Sequence, residues 1–234
     1  MSETAITREA ATVILLRPGQ PRGFKVLLTR RPATMPFLGG MYCFPGGALH
    51  EEDCASAMLR RARGLTPQQA RDIVGAHFTP RKALGLWVAA IRELFEETGI
   101  LLAGKASGER LKPGEVQVRQ MHAALLAKAL SFQALLENND LMCDADRLHY
   151  FSHWQTPPEE ATRFDTRFFL ASLPEHQTPL ETSPEVAHSL WLTPDHALQL
   201  FEKAELPMIF PTFASLRTLA DFDTLDSVMR EFGR

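Results

Sequence analysis

The chain has 234 residues, 45% of them hydrophobic and 23% charged, which is ample material for a packed core and excludes a disordered tail or a minimal disulfide-stapled scaffold. Lys plus Arg number 25 against 28 Asp plus Glu, a formal net charge of -3, which argues against a protein whose main task is gripping a nucleic-acid backbone.

The first residues, Met1-Ser2-Glu3-Thr4, lack the basic and apolar regions of a signal peptide, so a cytoplasmic protein is expected. Residues 12–16 and 25–29 read as two strands joined by a Pro- and Gly-broken loop. Residues 32–47 carry three prolines and four glycines among apolar residues, the composition of a shaped, packed loop. Residues 54–63 and 67–77 read as helices, Thr66-Pro67 opening the second. Residues 84–98 form a strong helix pattern: Trp87, Ile91, Leu94, Phe95 and Thr98 recur at helical spacing, and Gly99 stands where a left-handed cap belongs. The longest apolar run, residues 83–91, is far short of a membrane span. Residues 115–138 read as one helix, residues 147–154, 166–173 and 186–192 as strands, and residues 194–203 and 211–232 as closing helices. The order is that of a mixed α/β fold.

Cys43, Cys54 and Cys143 are odd in number and form no C-x-x-C pair, so reduced thiols are expected. His149 and His153, four apart on a strand, would share a face but lack a third ligand for zinc. Tyr150, Phe151 and Trp154 read as core aromatics, with nucleobase stacking the alternative.

The informative stretch is Arg92-Glu93-Leu94-Phe95-Glu96-Glu97-Thr98-Gly99-Ile100. On a helix, Glu93 and Glu97 are four apart, as are Arg92 and Glu96, so one face holds three carboxylates and one guanidinium. Like charges at this spacing disfavour an isolated helix by roughly 0.2–0.5 kcal/mol per pair. A divalent cation turns that repulsion into attraction, and hard oxygen donors suit Mg²⁺ or Mn²⁺, which neutralise phosphate oxygens and acidify a bound water. The bland alternative is a solvated Glu-rich helix face. Upstream, Gly46-Gly47 lets backbone approach a ligand, and Arg30 and Arg31 offer guanidinium forks to phosphate. Alternation along a strand sends these two arginines to opposite faces, so only one should reach the site.

These residues resemble the box of the Nudix hydrolases, G-x5-E-x7-R-E-U-x-E-E-x-G-U, with U a bulky aliphatic residue. Residues 92–100 fit its second half at every specified position, and Phe44-Pro45-Gly46-Gly47 resembles its opening, with Gly47 the box glycine. The position due for the first glutamate falls on Asp53, with Glu51 and Glu52 alternatives. Asp53 and Arg92 stand 39 positions apart where the pattern has 8, an insertion of 31. Loop closure entropy rises only with the logarithm of length, so such an insertion still permits docking. Interrupted boxes occur in a subgroup that includes coenzyme A diphosphatases. Residues 27–47 also resemble the coenzyme A pattern L-L-T-x-R-[SA]-x3-R-x3-G-x3-F-P-G-G, with Pro32 for the small residue and Pro36 for the second arginine. The segment 206–212 is similar, more weakly, to the tail of that subgroup.

The resemblance implies a Nudix fold, a mixed sheet between helices, in a single domain over residues 1–234 with a helical insertion at 54–84 and a helical extension at 194–234. It implies metal-dependent hydrolysis of a diphosphate in a nucleoside diphosphate linked to another moiety. Coenzyme A or its acyl esters is the first choice of substrate. ADP-ribose, NADH or a dinucleoside polyphosphate is the alternative, and a non-catalytic nucleotide sensor the alternative of another class. By the same resemblance Gly46, Glu93, Glu96 and Glu97 hold Mg²⁺ or Mn²⁺, and Arg92 orients the carboxylates. Glu93 or a later glutamate, of which Glu185 is preferred over Glu159, Glu160 and Glu181, is the base, while Arg30, Arg31 and Gly47 meet substrate. Expected partners are a small nucleotide, no nucleic acid and no membrane, with a homodimer compatible with the extra helices.

Overall fold

The computed structural model describes residues 7–20, 22–109, 115–160, 162–180 and 183–233; Glu181 lies outside them, as does the segment Met1 to Thr4. In chain order the elements are β1 (Thr7–Pro18), β2 (Phe24–Arg30), β3 (Tyr42–Cys43), β4 (Gly46–Ala48), α1 (Ser56–Leu59), β5 (Ala62–Arg63), α2 (Pro67–Val74), α3 (Pro80–Thr98), β6 (Ala103–Lys105), α4 (Glu115–Leu126), α5 (Phe132–Asn138), β7 (Leu141–Asp144), β8 (His149–Gln155), β9 (Arg163–Ser172), β10 (His188–Leu192), α6 (Pro194–Glu202), α7 (Phe210–Leu219) and α8 (Leu225–Phe232). A short 3₁₀ turn, Glu52–Cys54, precedes α1.

The main sheet runs β10-β2-β1-β9-β8, with β3 on β2 and β4 on β1. It is mixed, because β1 and β9 are parallel while the other pairs are antiparallel. Alternation along β1 sends Ala11, Val13 and Leu15 to one face and Ile14 and Leu16 to the other. The first face packs on α3 through Leu86, Ile91 and Phe95; the second is covered by α6, α7 and α8 through Ala197, Leu216 and Val228. The expected sheet between helices is therefore present. A three-stranded sheet, β5-β7-β6, completes the α3 side.

α3 is the axle of the site. Thr79 caps it by accepting from Lys82 N at 3.3 Å, Pro80 occupies the first turn, and Gly99, at φ 72°, ends it. It is buried nearly all round because the sheet flanks one side and α2 and α4 the other. Gly85 is required for this packing: a Cβ there would lie 2.5 Å from Cys54 Sγ, so glycine lets the 3₁₀ turn press onto the helix.

Several expectations need correction. The helix expected at 54–63 is only the four-residue α1 followed by β5, so the inserted segment is not wholly helical: β5 pairs with β7. The end of the insertion is the first turn of α3, which begins four residues before 84. The single helix expected at 115–138 is broken by left-handed Lys128, φ 54°, and restarted by Ser131, whose hydroxyl accepts from Ala134 N. The closing helix at 211–232 is likewise two. His149 and His153 do not share a face: a bulge between Tyr150 and Ser152 shifts the register, pairing His149 with Leu170 and His153 with Arg167. All three cysteines are free, as expected.

The insertion seats on the sheet through a buried cation. Arg167 on β9 is 1% exposed, lies 4.9 Å over the Phe78 ring and meets His77 Nε2 at 3.2 Å. Asp165 pairs with both Arg167 and His153.

Candidate active site

The carboxylate face of α3 meets the glycine turn directly. Gly47 pairs with Ala11 of β1 and points its missing side chain at α3: a Cβ would stand 2.6 Å from the Glu93 carboxylate. Gly46 is equally confined, 2.5 Å from Ala11 O at its Cβ position, and its backbone amide favours the charged form of Glu97. Gly47 therefore holds the strand closer to the carboxylates, and Gly46 holds it closer to β1, than any side chain would permit.

Arg92 organises the cluster from within. Its Nε donates to Asp53 Oδ1 and its Nη2 to Asp53 Oδ2, each at 2.8 Å. Nη1 donates to Glu93 Oε1 at 2.7 Å and to Glu96 Oε2 at 2.9 Å, and Nη2 reaches Ala48 O at 2.9 Å. A guanidinium has five N–H groups, and all five are used. Burial alone would lower the Arg92 pKa, but Asp53, Glu93 and Glu96 raise it instead. Asp53, the position whose part the sequence left open, is thus the buried partner of Arg92, and its Oδ2 also accepts from His50 N. Glu51 and Glu52 are exposed.

The electrostatics are strained. Burial raises the Glu97 carboxyl well above its ordinary value, and Glu93 and Glu185 add to this against Arg31 and the Gly46 N–H. Burial raises Glu93 as well, opposed by Arg92 and reinforced by Glu185. Burial with Glu93 and Asp53 lifts Glu96 to about 7, Arg92 opposing. Three crowded carboxylates that resist ionisation match the hard oxygen donors a divalent cation prefers. Among the described residues no three His, Cys, Asp or Glu side chains form a finished metal cage, since Glu93 and Glu96 each turn an oxygen to Arg92. The donor chemistry fits a cation nonetheless, with Gly46 O the adjoining backbone acceptor.

Around this cluster, Arg31 lies within electrostatic reach of Glu97 and donates from Nε to Phe37 O at 3.2 Å. Arg30 donates to Gly40 O and lies 5.7 Å over the Tyr42 ring. Glu185, exposed on the loop before β10, lies within electrostatic reach of Glu93 and Glu97. Glu159 and Glu160 are exposed on the loop between β8 and β9. Cys43 adjoins Glu97, and burial, with that carboxylate, pushes its thiol up to about 12, which leaves it unreactive. Sequence reasoning did not anticipate Gly85, whose position inside a helix pattern was the available signal.

Residues 7–219 match the family described as the NUDT19 Nudix domain. The chain belongs to that family. Within it, the chain is similar to the acyl-coenzyme A diphosphatase NUDT19 of Gallus gallus, 28% identical over 272 residues, covering 94% of this chain and 70% of the relative. The Homo sapiens protein of the same name is 28% identical over 245 residues, covering 91% of this chain and 64% of the relative. The chain therefore spans about two thirds of the length of these relatives. The crystal structure of a NUDIX hydrolase from Alicyclobacillus acidocaldarius superimposes with a TM-score of 0.81 at 28% identity, covering 97% of each chain. Nudix hydrolases generally use divalent metals. Among the described residues no helix is long and apolar enough to cross a membrane.

Proposed function

We propose that this Nudix domain is a metal-dependent diphosphatase that hydrolyses coenzyme A or acyl-coenzyme A to adenosine 3′,5′-bisphosphate and (acyl) phosphopantetheine. The observation that carries the reading is the Arg92-centred cluster, in which Asp53, Glu93 and Glu96 converge on one guanidinium beside Glu97 and the Gly46-Gly47 turn. The acyl-coenzyme A diphosphatase activity for which the two NUDT19 relatives are named supports the choice of substrate.

In this reading Glu93, Glu96, Glu97 and the Gly46 carbonyl hold Mg²⁺ or Mn²⁺. When bound, the cation neutralises diphosphate oxygens and lowers the pKa of a water. Arg92 does no chemistry: with every donor engaged, it fixes the directions of Glu93 and Glu96. Arg31 faces the diphosphate and offsets its charge, and Gly47 leaves room for it. Water attacks one phosphorus, the bond from that phosphorus to the bridging oxygen breaks, and a carboxylate takes the water proton. Glu93 and Glu185 are the candidate bases. Glu185 is preferred because it is exposed to solvent, whereas Glu93 Oε1 is held by Arg92.

The test is mass-spectrometric product analysis after incubation with Mg²⁺ or Mn²⁺ and a mixture of coenzyme A, ADP-ribose, NADH and diadenosine polyphosphates, with Glu97→Gln alongside. Adenosine 3′,5′-bisphosphate that disappears in the variant supports the reading. AMP-type products alone would trace to Pro36, the missing second arginine, and move the substrate to ADP-ribose or a dinucleotide. Absence of all products would refute turnover of this substrate class.

A further inference from the structure

The sheet face opposite α3 carries polar atoms that the diphosphatase chemistry leaves unused. Phe164, Thr166 and Phe168 alternate onto this face along β9, and the register sets Ser152 of β8 beside Phe168 and Trp154 beside Thr166. Ser152 Oγ and Trp154 Nε1 are both shut off from solvent with no hydrogen-bond partner. Two orphaned polar atoms side by side on one face call for an explanation.

The surface in front of them is aromatic. Phe210, the first residue of α7, is 66% exposed, and its ring stands edge-on to Trp154 at 5.4 Å. Phe37 is 36% exposed and lies 5.2 Å from Phe164.

This wall is tied to the carboxylate site by two routes. Arg31, within electrostatic reach of Glu97, donates to the Phe37 carbonyl. Thr12 of β1 pairs with Gly46 on one side and with Phe168 on the other, and the next residue, Gly47, abuts the Glu93 carboxylate.

We propose that Phe37, Phe164, Trp154 and Phe210 form the subsite for the heterocyclic base of the nucleotide substrate, with Ser152 and Trp154 hydrogen-bonding its edge. The identity of the substrate rests on the diphosphatase reading; the existence of the subsite does not. Aromatic faces stack on a flat base. An indole N–H is donor only, so a ring nitrogen satisfies it and an acyl chain does not. Ser152, both donor and acceptor, suits an edge that carries an amino group beside ring nitrogens. For a base to reach Trp154 Nε1, the Phe210 ring, in contact with Trp154 and Phe213 and 66% exposed, has to turn aside.

The experiment is titration of ADP into the metal-free protein, so that nothing turns over, read by calorimetry and tryptophan fluorescence. Trp154→Phe keeps a ring and deletes the N–H, Ser152→Ala deletes the hydroxyl, and Phe210→Ala removes the outer ring. Each should weaken ADP by about tenfold while binding of phosphopantetheine stays as in the wild type, and each should raise KM for the nucleotide substrate more than it lowers kcat. Ser152→Ala and Phe210→Ala keep the test open where Trp154→Phe fails to fold. Wild-type protein that does not bind ADP, variants that bind it normally, or variants that lose phosphopantetheine instead would each overturn the proposal. Variants that lose ADP in a protein that hydrolyses no diphosphate would overturn the diphosphatase reading and leave the subsite standing.

Discussion

Asp53 and Arg92, 39 positions apart in sequence, are joined by two parallel hydrogen bonds of 2.8 Å, with side chains 3% and 6% exposed. Through this pair the insertion closes on itself. Neutralising the aspartate weakens two of the five Arg92 bonds while Glu93 and Glu96 still balance the guanidinium charge. Asp53→Asn is therefore expected to lower unfolding stability by about 1–3 kcal/mol, checked by urea denaturation. Because Arg92 also aims Glu93 and Glu96, kcat should fall by about 10- to 100-fold in folded variant protein. Arg92→Lys, with three donors for five bonds, should show the same loss of kcat.

Gly47 and Gly85 separate chemistry from stability. A methyl at Gly47 collides with the Glu93 carboxylate at 2.6 Å, so Gly47→Ala should cost about 100-fold in kcat by displacing that group while Tm shifts little. A methyl at Gly85 collides with Cys54 Sγ at 2.5 Å, so Gly85→Ala should destabilise by about 1–3 kcal/mol. Gly85→Ala combined with Cys54→Ala removes the colliding sulfur and should recover most of that loss, a reversal that thermal unfolding would detect.

Cation binding should appear as stability. At a hundredfold excess over its dissociation constant a ligand adds about 2.7 kcal/mol, which for a domain of this size is a rise of roughly 5–10 °C in Tm. Mg²⁺ or Mn²⁺ should produce such a rise, and Glu97→Gln should abolish most of it. An unchanged wild-type Tm at millimolar cation would contradict the assignment of these carboxylates.

Asp165 provides a pH signature away from the site. Burial would raise its carboxyl, but hydrogen bonds from Arg167 and His153 win and lower it below the ordinary value. Its contribution is therefore fully present above the unfolded carboxylate pKa, about 4, and is lost as pH falls through the lower folded value. Asp165→Asn should be less stable than wild type at pH 7, by about 3 kcal/mol because buried Arg167 loses its partner. The two unfolding curves should converge at pH 2–3.

The box helix and its chemistry were legible because both are local: Trp87, Ile91, Leu94 and Phe95 set the period, Gly99 the stop, and residues 92–97 the charged face. The start of α3 was equally written in Thr79-Pro80, the same signal used at Thr66-Pro67, and was passed over because the apolar period begins later. β5, β6 and β7 were missed because two to four residues carry no period, and only pairing makes them strands. The bulge that separates His149 from His153 leaves no composition mark. Asp53 could be named as a candidate but not chosen over Glu51 and Glu52, since what sets it apart is its pair of bonds to Arg92, a contact between distant segments.

A fully subscribed Arg92 also couples the two guests of the site. With no N–H left over, it can offer nothing to an arriving diphosphate, and the carboxylates beside it weaken the hold on an anion until positive charge has entered. Metal-free protein should therefore hold a nucleotide more weakly than cation-loaded protein does, and by linkage each guest should raise the affinity for the other.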